Sequence, residues 1–304
     1  CKKILGSIAS LAKNKMSAIV VTTVVSTICC WLNWGFGLIV GALLAKEIAR
    51  RVRDVDYPLL IASAYSGFVI WHAGLSGSIP LALGGKGYEV AATGQTFIAQ
   101  TSETIFHPMN LVMCLIILVA MPFVNYAMHP DKDHTITVDP AVLADEKERT
   151  YEVKTPADKI EHSKILWAIV CIMGFIYIVY YFIQMGFKLD LNIVNCIFLF
   201  LGLLAHGNLR KYVDAIGDAA GGAAGILLQF PFYAGVCLAG IISDFFVNIS
   251  TPVTFPMFTF LSAGIVNFFV PSGGGQWAVQ GPIVMPGSVK VGVEAGRAAM
   301  AIAW

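Results

Sequence analysis

The 304-residue chain is 57% hydrophobic and only 13% charged, with 20 Lys and Arg against 19 Asp and Glu, whereas a soluble domain carries about 25% charged residues. So few charges cannot cover a water-facing surface, so the chain reads as a membrane protein. Its net charge of +1 leaves no cationic surplus for a nucleic-acid partner.

Lys2, Lys3, Lys13 and Lys15 precede an uncharged run from Met16 to Ala45, too long for the apolar core of a signal peptide. The Asn33-Trp34-Gly35-Phe36-Gly37 cluster interrupts it, because glycine and a backbone-competing Asn weaken a helix. Two half-length arms are expected. Lys13 and Lys15 flank one end, Lys46, Arg50, Arg51 and Arg53 the other, and positive residues mark the cytoplasmic side. Residues 16–45 are therefore expected to form a re-entrant hairpin.

Uncharged stretches at 57–85 and 104–128 follow as spans, each near the roughly 20 residues a crossing helix needs. Late in the first, Ser76-Gly77-Ser78-Ile79-Pro80 reads either as a break that brings two hydroxyls to the tip or as a kink at the helix end. Residues 131–164 hold nine acids and six bases and read as a solvated cytoplasmic connector. Within it, Thr155-Pro156-Ala157-Asp158 resembles a capping box that opens a helix running into Ile165. Further spans are expected at 165–187, 191–206 and 219–243. Unpaired backbone is intolerable in lipid and no run shows two-residue alternation, so all are read as helices. From Phe245 to Val289 a second uncharged run enters through Pro252 and Pro256 and breaks between Asn267 and Trp277. There Pro271 removes a donor, and Gly273, Gly274 and Gly275 permit unwound backbone. Residues 252–286 are expected to form a second re-entrant hairpin, with a further span beginning in 290–304.

Counting crossings from the first Arg cluster puts Arg210 and Lys211 inside and the second hairpin on the opposite face from the first. The expected fold is an all-α polytopic membrane protein with inverted-topology repeats and two oppositely oriented re-entrant helical hairpins. Residues 1–128 would be the later part of a first repeat, 129–164 the connector and 165–304 the earlier part of a second. The chain opens at Cys1 without Met and closes at Trp304 inside an apolar pattern, so it reads as a piece lacking spans at both ends.

A helix interrupted within the membrane presents bare amides that attract carboxylates and bare carbonyls that attract cations. The candidate substrate-binding residues are therefore Asn33, Trp34, Gly35 and Gly37 at the first tip, and Asn267, Pro271, Ser272, Gly273, Gly274, Gly275, Gln276 and Trp277 at the second. Ser76 and Ser78 join them from the third break. The two tips are expected to meet near mid-membrane, with Trp34 and Trp277 walling an apolar tail. No Asp, Glu, Lys or Arg lies inside a span, which favours a small monoanion over a dicarboxylate or an ion exchanger. No catalytic residue, enzyme activity or organic cofactor is expected. The seven cysteines form no C-x-x-C pair and read as small hydrophobes. His72 reads as a core histidine. Gly74-Leu75-Ser76-Gly77 resembles an intramembrane serine protease turn but has no base assigned to it, and Gly84–Gly87 lacks the spacing of a phosphate loop.

The segments 32–52 (LNWGFGLIVGALLAKEIARRV), 56–68 (DYPLLIASAYSGF), 229–235 (QFPFYAG) and 260–286 (FLSAGIVNFFVPSGGGQWAVQGPIVMP) closely resemble the bacterial short-chain fatty acid transporter family, a branch of a larger superfamily of ion-coupled anion carriers. The resemblance runs along essentially the whole chain. It implies uptake of small monocarboxylates such as butyrate or acetoacetate across the inner membrane, paired hairpins and an elevator-like movement. Na+ or a proton is the candidate coupling ion, and the tip carbonyls near Asn33 and Asn267 are the candidate place for Na+. The substrate acid and the lipid bilayer are the implied partners, and a second copy in a homodimer is a candidate one.

Overall fold

The computed structural model describes residues 2–85, 87–91, 93–139, 143, 151, 153–186, 188–234 and 237–304. Among them the helices are, in order, α1 (Lys2–Ala9), α2 (Lys15–Leu32), α3 (Trp34–Arg51), α4 (Tyr57–Ser66) and α5 (Ser78–Leu83). A short antiparallel pair, β1 (Tyr88–Val90) and β2 (Gln95–Phe97), precedes α6 (Pro108–Ala127), α7 (Pro156–Glu161), α8 (Lys164–Met185), α9 (Leu191–His206) and α10 (Leu209–Ala234). The series closes with α11 (Cys237–Asn248), α12 (Phe255–Phe269), α13 (Gly273–Val291) and α14 (Ala295–Ala303). The chain is a predominantly helical membrane protein, with β1–β2 as the one sheet among the described residues. Lys15–Leu32, Tyr57–Leu83, Pro108–Ala127 and Lys164–Met185 are each long and apolar enough to cross a bilayer.

Two compact units divide the chain: one comprises Cys1–Gly77, Thr104–Lys147 and Trp304, the other Ser78–Glu103 and Glu148–Ala303. In the first unit α2 begins on a capping box in which Asn14 and Ser17 exchange bonds, so its Val- and Thr-rich sequence is helical despite weak propensity. α2 and α3 fold back on one another about Asn33. Gly37 lies against Cys30, and Gly41 against Ser26, pairs nearly symmetric about the turn. Each arm has 18 residues, about 27 Å at 1.5 Å per residue, so the expected half-length arms are corrected. α3 reaches that length only by carrying Lys46, Glu47, Arg50 and Arg51 in its last two turns. The span expected over 57–85 is likewise not one helix. α4 ends at Ser66, a 3-10 segment runs over Gly67–Ala73, and α5 starts at Ser78. α6 secures this segment through two buried amides. Asn110 donates to Ala73 O (3.0 Å) and Ile105 O (2.8 Å), and Asn125 donates to Thr23 Oγ1 (3.0 Å) and Ser66 Oγ (2.8 Å).

Parts of the connector, residues 140–142, 144–150 and 152, lie outside the described residues. Its start is not merely solvated: Asp56 accepts from Ile136 N at 2.8 Å, and Val138 and Leu143 pack on the core built by α1–α4. Asp158 accepts from Thr155 N (2.7 Å) and Lys154 N (3.1 Å), completing the capping box, and these amides hold its carboxyl below the usual range. The helix it opens stops at Glu161 instead of running into Ile165, because Ser163 N-caps α8 as a separate helix.

In the second unit the single span expected at 219–243 is replaced by α10 and α11, with Gly235 and Val236 outside the described residues. α12 and α13 form a second helical hairpin, flanked by α11 and α14. The β1–β2 pair, which helical periodicity could not show, sets Val90 and Phe97 into the core with Trp277, Val284 and Met285.

Candidate functional site

At the first tip one residue performs both caps. Asn33 is extended (φ −157°, ψ 125°); its N–H donates to Cys29 O (2.9 Å), its Oδ1 accepts from Phe36 N (2.9 Å) and its carbonyl accepts from Gly37 N (2.8 Å). Asn is favoured at such an N-cap for this local acceptor geometry. Trp34 N donates to Ser76 Oγ at 2.9 Å, while Gly35 N–H has no acceptor among the described residues. Ser76 arrives on the segment that follows the 3-10 turn, where Leu75 N donates to Trp31 O at 2.8 Å. Gly74 leaves no room for a side chain there, since a Cβ would fall on the same Trp31 carbonyl. The ring of Trp34 lies edge-on to Phe68 and Trp71, at centroid distances of 6.2 and 5.9 Å. His72 is buried beside Trp71.

The second tip turns through Val270, Pro271 and Ser272. Ser272 N-caps α13: its Oγ accepts from Gly275 N (3.4 Å) and its carbonyl from Gln276 N (2.7 Å). The N–H groups of Gly273 and Gly274 have no acceptor among the described residues, and Ser78 Oγ lies 3.9 Å from where a Cβ on Gly274 would sit.

Both tips correct the expected role of the glycines. Gly35, Gly37, Gly273, Gly274 and Gly275 are helical and none has positive φ. The turns are made by Asn33 and by residues 270–272, and the glycines leave the first helical turns bare of side chains. Gln276 and Trp277 lie deeper. Gln276 Oε1 accepts from Asn267 Nδ2 (2.8 Å), and its Nε2 donates to Ala263 O (2.9 Å) and Gln280 Oε1 (2.8 Å). Gln280 in turn donates to Ser243 Oγ (3.0 Å) and Ser262 Oγ (3.2 Å). Trp277 is buried with its ring 4.8 Å from that of Tyr88. Phe68, Trp71, Asn110 and Gln280 escaped the sequence reading. A polar amide inside an uncharged run is the signal that would have found Asn110 and Gln280.

Chemically, the first tip offers one unshared amide and the second two, each at the positive end of a helix dipole together with a serine hydroxyl, and no acid or base. That combination suits a single carboxylate. The nearby carbonyls Cys29 O, Trp31 O, Val266 O and Val270 O each accept one backbone bond and keep a second lone pair for a cation.

The model of the family described as "Short chain fatty acid transporter" matches residues 1–304. Proteins of Escherichia coli (strain K12) and Haemophilus influenzae (strain ATCC 51907 / DSM 11121 / KW20 / Rd), each named "Putative short-chain fatty acid transporter", are 40% and 41% identical to the chain over 313 and 320 aligned residues. Both alignments cover 100% of this chain and 71% of the relative. No solved structure matches. With its whole length matched by the family model, the chain belongs to the short chain fatty acid transporter family.

Proposed function

We propose that the protein is a secondary carrier that takes up small monocarboxylates, such as butyrate or acetoacetate, across the bacterial inner membrane, with Na+ or a proton as the coupling ion. The observation that carries this reading is the pair of neutral helix N-termini, Gly35 at one tip and Gly273 and Gly274 at the other, whose N–H groups lack acceptors among the described residues. Burying a carboxylate requires hydrogen bonds to replace its water, and each tip has donors of its own for it: Gly35 with Ser76 at the first, and Gly273 and Gly274 with Ser78 and Ser272 at the second. A second carboxylate on the same ligand would meet no cationic side chain at either tip. Each hairpin re-enters the face it came from, the first the cytoplasmic one, as the cations at both its ends support.

The test is uptake of labelled butyrate by the full-length protein in proteoliposomes, with sodium and proton gradients imposed separately. Saturable accumulation above the external concentration, driven by one of the two gradients, is expected. Linear uptake that only equilibrates under either gradient would mean a pore.

A further inference from the structure

Phe68 and Trp71 stand three residues apart on the 3-10 segment Gly67–Ala73, and a 3-10 helix eclipses side chains at that spacing. Their rings are accordingly stacked, 5.2 Å apart and 7° from parallel. Trp34 meets both edge-on, and none of the three is fully buried; Trp34 remains 40% exposed. The wall they make starts at the residue whose N–H is bonded to Ser76 and whose neighbour Gly35 offers an unshared N–H.

The carbon surface of these rings has no charge to pair with a carboxylate and accepts a hydrocarbon chain. A ligand whose head sits on Gly35 and Ser76 is thereby oriented, with its tail along the rings. We infer that Phe68 and Trp71, together with Trp34, are the surface that selects the length of the acyl tail. This rests on the reading of the first tip as a carboxylate site. A two-carbon acid has only a methyl group to place against the rings, whereas butyrate adds two methylenes. In an enclosed apolar pocket one methylene changes kcat/KM by roughly 10–200-fold; a one-sided wall gives on the order of tenfold across two.

The full-length transporter and its Phe68→Ala and Trp71→Ala variants are compared for uptake of labelled acetate and butyrate in proteoliposomes, with Phe123→Ala on the exposed face of α6 as control. The wild type and the control should prefer butyrate. Both wall variants should lower the butyrate-to-acetate ratio of kcat/KM about tenfold, which a uniform loss of folded protein cannot do. An unchanged ratio in both, including equal losses for the two acids, would overturn the inference and leave the tip reading standing. A wild type that carries neither acid would overturn the tip reading, and this inference with it. Should the alanine variants fail to insert, Phe68→Leu and Trp71→Leu, which keep an apolar side chain and remove the stacked rings, decide by the same ratio.

Discussion

Gly37 lies where an added Cβ would fall onto the backbone and sulfur of Cys30, so the arms of the first hairpin meet backbone to backbone, as small residues allow in membrane helices. Gly35, two residues earlier, faces only Asn33 Oδ1 at 3.5 Å. Gly37→Ala must therefore part the two helices, and overpacking of this kind costs about 1–3 kcal/mol. Thermal unfolding in detergent, followed by size-exclusion chromatography, should show a lower midpoint for Gly37→Ala than for Gly35→Ala. Equal midpoints would remove the close approach from the account. Gln280 is the corresponding residue of the second hairpin, fully buried and bonded to Gln276, Ser243 and Ser262. Gln280→Leu leaves these partners with unmade bonds. It should destabilise by about 1–2 kcal/mol, in line with interhelical polar contacts in membranes; a wild-type unfolding midpoint would contradict that role.

At the scale of elements, the interruption of both long uncharged runs was legible from Asn33 and from Pro271 with its flanking serine and glycines. The residue that makes each turn was not. Glycine lowers helix propensity in a helix interior, but first-turn N–H groups need no intrahelical partner, so capping by Asn33 and Ser272 decides where the helices start. Capping also explains the separate α7 and α8, since Ser163 restarts what charge pattern alone reads as continuous. The β1–β2 pair was hidden because three-residue strands carry too little periodicity to register. The glutamine ladder was hidden because Ser243, Ser262 and Gln276 come from three different helices. Stacking of Phe68 on Trp71 depends on a 3-10 winding that an uninterrupted α-helix pattern does not foretell.

Across the whole molecule, charge lies at helix ends, in connectors and the β1–β2 pair, along the first half of α10 and at Asp244 of α11, while both tips are neutral. The carrier proposed above can hold a single carboxylate on such neutral donors. The central claim is that bare peptide N–H groups hold the acid, and it is tested by removing one of them without changing the helix. Proline lacks the N–H and is tolerated in a first helical turn, so Gly35→Pro deletes the unshared donor while Gly35→Ala retains it. A hydrogen bond to a charged group is worth about 1.5–3 kcal/mol, or roughly tenfold and more in affinity. The decisive measurement is the KM for butyrate uptake by these two variants of the full-length protein, at matched membrane insertion. A KM at least about tenfold higher for Gly35→Pro than for Gly35→Ala is predicted, and equal values would contradict the account.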